Sequence, residues 1–185
     1  MKRRTLVGAA IAAMLGAKAE LPSGYTALPY ISSTDGGKQW INTGYMPAST
    51  DKIEFKVKLP SVSSTMCIYC SRAGATSKTF TCFVYNGKFR FDHCTDAKNG
   101  LTGALSPETD YTAVADGTTL DCALNDNEHA AKMASGTAFS NTSMLTLFAS
   151  HSSAVTSEDQ TFTPAALAVC SMYYFKVTDK DENVQ

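Results

Sequence analysis

The 185-residue chain has almost no charge imbalance: 16 basic against 17 acidic residues leave a net charge of −1. Without a basic surplus there is no footprint for neutralising phosphates, which argues against nucleic acid as a partner. Charged residues make up only 18% of the chain and hydrophobic ones 44%, enough for one ordinary core, so a single domain is expected. Histidine is scarce. His93, His129 and His151 lack the spacing of a metal site and read as surface or strand-edge residues. Also missing are the phosphate-cradling Gly-x-x-x-x-Gly-Lys-Ser/Thr, the His-Glu-x-x-His pair and the Gly-x-Ser-x-Gly turn, so no enzyme class is signalled. Past residue 19 no apolar run approaches the ~20 residues that cross a bilayer as a helix, and no repeat marks a solenoid.

The one concentrated apolar run stands at the start. Residues 1–19, MKRRTLVGAAIAAMLGAKA, place Lys2, Arg3 and Arg4 before an apolar stretch from Leu6 to Leu15 and small residues at Ala17 and Ala19. That is the three-part order of a secretory signal peptide, too short to be a membrane span. The Arg3-Arg4 pair also fits a twin-arginine signal loosely, though ordinary signal charge accounts for it equally simply. Either route predicts an exported protein, periplasmic, cell-surface or secreted, whose mature part is residues 20–185, with no membrane insertion after signal removal.

The mature chain is patterned as short runs of Val, Ile, Phe, Tyr and Thr between Gly, Pro, Asn, Asp and Ser, which predicts stacked antiparallel sheets. The clearest unit is Phe80 to Cys94. There FTCFVY and KFRFDHC flank Asn86-Gly87, the dipeptide best suited to the positive φ angles of a two-residue hairpin turn. That register pairs Tyr85 with Lys88 and Val84 with Phe89, so Phe80, Cys82, Val84, Phe89 and Phe91 share a core face. Thr81, Phe83, Tyr85, Lys88, Arg90 and Asp92 fall on the other face, open to solvent or a ligand. Ile53 to Leu59 alternates strictly, turning Ile53, Phe55, Val57 and Leu59 inward until Pro60 ends the ladder. Met144 to Ala149 and Ala168 to Val177 read as further strands. Glu128 to Ala134 has helix-forming residues behind a cap at Asn127, or a strand with His129, Ala131 and Met133 on one side and a turn at Ser135-Gly136.

Leu21 to Pro47, LPSGYTALPYISSTDGGKQWINTGYMP, resembles the opening of concanavalin A-like lectin/glucanase domains of the laminin-G-like type, found in bacterial surface proteins. Four further blocks follow in the expected order: IEFKV (Ile53 to Val57), SRAG (Ser71 to Gly74), FVYNGKFRFD (Phe83 to Asp92) and YYFKVTD (Tyr173 to Asp179). The resemblance implies an all-β antiparallel jelly-roll β-sandwich and favours a strand at Glu128 to Ala134. Its members recognise glycans or proteins, while a minority hydrolyse polysaccharides; fold alone does not choose among these. Such domains continue past the late strand, whereas this chain stops at Val184-Gln185, so the domain over residues 20–185 is expected to be truncated at its C-terminus.

Polysaccharide-cleaving relatives set their acids at alternating positions of one strand, as in Glu-x-Asp-x-x-Glu. No such run exists here, the nearest being Asp92 and Asp96, so the expectation is a non-catalytic module that binds a carbohydrate or a surface protein, with an assembly domain of a larger surface protein as the alternative and a glycoside hydrolase with an unconventional acid pair as the less favoured third. Relatives also hold calcium at the sandwich rim. Asp92, Asp96 and Asn99 are the only candidates in the matching loop, too sparse for calcium to be favoured, and no metal or other cofactor is expected. Sugar rings pack their C–H faces on exposed aromatic planes. Trp40, Tyr45 and Tyr85 qualify by type, with core packing equally expected for the first two, which leaves Tyr85 at the hairpin tip beside Arg90 as the ligand-binding candidate.

Six cysteines in an exported chain favour structural disulfides. Cys67-Ile-Tyr-Cys70 has the spacing of a redox or zinc pair, with His93-Cys94 as the residues that would complete a tetrahedral set, but in a regular strand Cys67 and Cys70 point to opposite faces and do not converge. A Cys82 to Cys94 bridge is disfavoured by hairpin register. Cys70 to Cys82 is bridgeable if a hairpin of Ile68 to Arg72 with Phe80 to Val84 puts them opposite each other; reduced core cysteines are the alternative.

Overall fold

A computed structural model of the chain describes residues 31–33, 40–72, 74, 77–95, 100–134, 142–160 and 163–185. Among them stand twelve strands and no helix. In chain order these are β1 (Ile31–Ser33), β2 (Ile41–Asn42), β3 (Lys52–Lys58), β4 (Met66–Arg72), β5 (Ser77–Tyr85) and β6 (Lys88–Thr95), followed by β7 (Gly100–Ala104), β8 (Asp110–Asp116), β9 (Asp121–Leu124), β10 (Asn127–Lys132), β11 (Thr146–Leu147) and β12 (Cys170–Thr178). They form two antiparallel six-stranded sheets, β1-β12-β3-β8-β9-β10 and β2-β11-β4-β5-β6-β7, the β-sandwich expected from the strand pattern. The signal-like residues 1–19 lie outside the described residues.

Period-two patterning decides which side chains meet between the sheets. β3 turns Ile53, Phe55, Val57 and Leu59 wholly out of solvent, as its alternation predicts, and leaves Glu54, Lys56 and Lys58 half-buried on the outside. From the facing sheet come Phe80, Cys82, Val84, Phe89 and Phe91, all buried. The β5–β6 hairpin has the expected register, Val84 opposite Phe89 and Tyr85 opposite Lys88. Its turn residues take φ of 50° at Asn86 and 68° at Gly87, angles that asparagine and glycine tolerate best. Phe55 is the joint between the layers, edge-on to Tyr69 at 6.0 Å and to Phe89 at 5.5 Å.

Two expectations change. The strand read over Met144 to Ala149 is only Thr146–Leu147, because Phe148 takes a left-handed φ of 68° and breaks the ladder. The chain leaves the sheet there and returns where Ala166 O accepts from Cys67 N at 2.5 Å and Ala168 N donates to Phe148 O at 2.9 Å. Glu128 to Ala134 is a strand in its first part, β10, although only Met133 beyond it is buried and His129 is exposed. The hairpin turn that forms it is Asn125-Asp126, with Asn125 at φ 53°. Ser135-Gly136 lies outside the described residues.

Candidate functional site

The outer face of the β2-β11-β4-β5-β6-β7 sheet holds the chemistry-bearing side chains. On β5 and β6 it presents Thr81, Phe83, Tyr85, Lys88, Arg90 and Asp92, the set that hairpin register predicts. It is less open than predicted. Thr81, Arg90 and Asp92 are buried, and Phe83, Tyr85 and Lys88 are half-buried.

The two predicted ligand contacts are brought together. The Arg90 guanidinium lies 5.6 Å from the centroid of the Tyr85 ring, within cation–π range. It is also held from below by Asp92, with Nε donating to Oδ1 at 3.0 Å and Nη2 set 2.8 Å from Oδ2, the fork-to-fork geometry that fixes a guanidinium most firmly. Thr81 Oγ1 donates to the same carboxylate at 3.3 Å. Burial pushes the Asp92 carboxyl up, opposed by the charge and hydrogen bonds of Arg90. Arg90 is therefore a prop beneath Tyr85 more than a hand extended to a ligand. Asp92 is engaged in the ion pair, and Asp96 and Asn99 lie outside the described residues. No cluster of three metal-ligating side chains occurs among the described residues.

Trp40 and Tyr45 are half-buried. Tyr45 packs on the core and donates its hydroxyl to Asp51 Oδ2 at 2.7 Å, a contact that with burial pushes the phenol up. Asp51 Oδ2 also accepts from Ala48 N at 2.8 Å, so this pair pins a turn.

The cysteines depart most from expectation. Cys67, Cys70, Cys82, Cys122 and Cys170 are buried free thiols, and the Cys70–Cys82 bridge does not form. In the β4–β5 register Cys70 stands opposite Thr81 and Cys82 opposite Tyr69, which puts the two sulfurs on different faces of the sheet. The shift comes from a bulge between Cys67 and Tyr69. One extra residue, Ile68, resets the alternation, so Cys67 opposite Phe83 and Cys70 opposite Thr81 share the outer face after all. The Cys94 side chain is outside the described residues.

The partner of this thiol pair is His151, buried and not on the surface as expected. The segment leaving the sheet at Phe148 carries it over β4. Its Nε2 lies 3.4 Å from Cys70 O and its Nδ1 2.7 Å from Ser153 O. Burial alone would push the Cys70 thiol up, but hydrogen bonds from Cys67 and His151 and the charge of His151 outweigh it and bring it down to about 6. His151 is raised in turn: burial lowers it, and its bonds to Cys70 and Ser153 more than compensate. Cys67 is pushed up by burial and by Cys70, and its Sγ donates to Tyr69 O at 3.2 Å.

His93 faces the core instead, edge-on to Phe80 at 5.2 Å, with Nε2 2.7 Å from Ser49 O. A carbonyl only accepts, so this nitrogen is protonated. Burial lowers the pKa of His93 against the smaller upward pull of Ser49. The folded chain thus prefers the neutral ring: His93 contributes full stability above the ordinary histidine value of about 6.5, and loses it as pH falls through the depressed folded value. His151 acts in the opposite sense. Urea unfolding of wild type and His93→Gln from pH 7.5 to 5 is expected to show a shallower acid loss in the variant; parallel curves would refute the assignment.

Against protein-family models, curated proteins and solved structures alike, the chain finds no match.

Proposed function

We propose that the protein is an exported, non-catalytic recognition module of laminin-G-like jelly-roll type that binds a carbohydrate through the outer face of the β5–β6 hairpin. The observation that carries the reading is the propped aromatic: Tyr85 lies partly exposed at a tight turn, stacked on a guanidinium that a buried carboxylate holds in both prongs. A ring fixed before the ligand arrives loses little freedom on binding, which is what a sugar-stacking platform requires. The signal-like residues 1–19 and the ordered set of family-like blocks supply the export and surface context.

A second reading draws on the same contacts. Because Arg90 is engaged by Asp92 and much of this face is covered, the hairpin also suits an assembly domain of a larger surface protein, packed against a neighbour and without a soluble ligand.

A glycan array separates them. Reproducible binding by the wild-type chain, weakened about tenfold or more in Tyr85→Ala as a lost stacking contact of roughly 1.4 kcal/mol would give, is the expected result. Uniformly blank arrays, or binding indifferent to Tyr85→Ala, overturn the platform and leave the assembly reading.

A further inference from the structure

We propose that Cys67, Cys70 and His151 form a peroxide-sensitive thiol switch, in which Cys70 is oxidised first and Cys67 then closes a disulfide. The site is independent of the carbohydrate reading and its thiols lie on β4, the strand next to the one that carries Tyr85, on the same sheet face.

Three features carry it. The first is convergence. The bulge makes the three-residue step from Cys67 to Cys70 span a two-residue step of β5, about 6.8 Å at antiparallel strand rise and the upper end of the Cα separation a disulfide bridges. The two side chains stand on one face and each shifts the other's thiol, so closure asks for a small adjustment and not a refolding of the strand. The second is the imidazole. Both ring nitrogens of His151 face carbonyl oxygens, Ser153 O and Cys70 O, and carbonyls only accept; a ring protonated on both nitrogens satisfies both. An imidazolium in so buried a place calls for an anion, and Cys70, whose carbonyl its Nε2 approaches at 3.4 Å and whose thiol it lowers, is placed to supply a thiolate. The groups around Cys70 are Cys67 on its own strand, Thr146 and Thr81 on the flanking strands and His151 above; Arg72 stands near Cys67, and Asp92 is held by Arg90. The third is access. Cys67 and Cys70 are wholly buried and His151 is 2% exposed, so a water-sized oxidant is favoured over a bulky disulfide.

The chemistry balances. The Cys70 thiolate attacks one oxygen of hydrogen peroxide, the O–O bond breaks, and the departing hydroxide takes the His151 Nε2 proton to become water, leaving Cys70 as a sulfenic acid. Cys67 then attacks the Cys70 sulfur. The S–S bond forms as the S–O bond breaks, and the Cys67 proton, taken by the now neutral His151, leaves with the hydroxyl as a second water. Two thiols give up two electrons and two protons, one peroxide is reduced to two waters, and a dithiol reductant reverses the closure.

Cys82, Cys122 and Cys170 are the internal controls: equally buried, they are pushed up by burial and have no imidazole partner. The test is the folded full chain, reduced and then exposed to hydrogen peroxide, with peptide mapping of disulfides and dimedone to trap sulfenic acid. The expected outcome is a Cys67–Cys70 disulfide with the three control cysteines still reduced, a dimedone adduct on Cys70 in Cys67→Ser, and oxidation slowed at least tenfold in His151→Gln. Oxidation spread evenly over the buried cysteines, appearing only in denaturant, or proceeding at wild-type rate in a folded His151→Gln would overturn the proposal. If His151→Gln does not fold, site selectivity in the wild type and the adduct in Cys67→Ser decide.

Discussion

Truncating Phe55 to alanine is expected to lower the free energy of unfolding by about 3–5 kcal/mol, the usual cost of deleting a fully buried aromatic. Its ring meets Tyr69, Phe89 and Phe91 of the opposite sheet within 6.4 Å. A cavity there parts the sheets at their centre, and neighbouring rings locked into edge-to-face packing cannot collapse to fill it. Tyr69→Phe is the control in the same cluster. The Tyr69 hydroxyl is buried without a hydrogen-bond partner among the described residues, so removing it is expected to leave stability unchanged or raise it by up to about 1 kcal/mol. Urea unfolding measures both; a loss from Tyr69→Phe comparable to that from Phe55→Ala would contradict this account of the core.

Asp92→Ala is expected to be about as damaging, again roughly 3–5 kcal/mol, for a different reason. The Arg90 and Asp92 side chains are 10% and 5% exposed, so removing the carboxylate leaves a guanidinium with neither water nor its fork partner. Most of the cost is the loss of the bidentate partner of a buried charge and not the net worth of the pair. It follows that Arg90→Met combined with Asp92→Leu restores much of the stability lost in Asp92→Ala alone, and a double-mutant cycle reads the difference. Additive losses in the two single variants and the double would show that the pair is not coupled.

The parts of the fold that depend on local pattern were readable from the chain. Strict alternation in Ile53 to Leu59 and the Asn86-Gly87 turn each left one arrangement that buries the apolar side chains, and both are found as read. What escaped prediction depends on single backbone departures that no side-chain pattern records. Phe148 at φ 68° shortens a strand whose residues from Leu145 to Ala149 are nevertheless all buried, and Ile68 adds one residue to a ladder whose composition gives no sign of it. The candidate site was half legible for the same reason. Tyr85 and Arg90 followed from hairpin register, whereas His151 comes from a segment some eighty residues from Cys70, and nothing local predicts that it folds over the outer face.

Counting residues along β4 gives Ile68 a meaning that its own side chain does not have. Without a bulge there, β4 would keep every cysteine, histidine and aromatic of the chain yet alternate plainly, and the three-residue step would send either Cys67 or Cys70 in among the rings of the core. The meeting of two sulfurs beside an imidazole is in that sense a property of backbone register, set by one bulged peptide unit and by none of the groups that react.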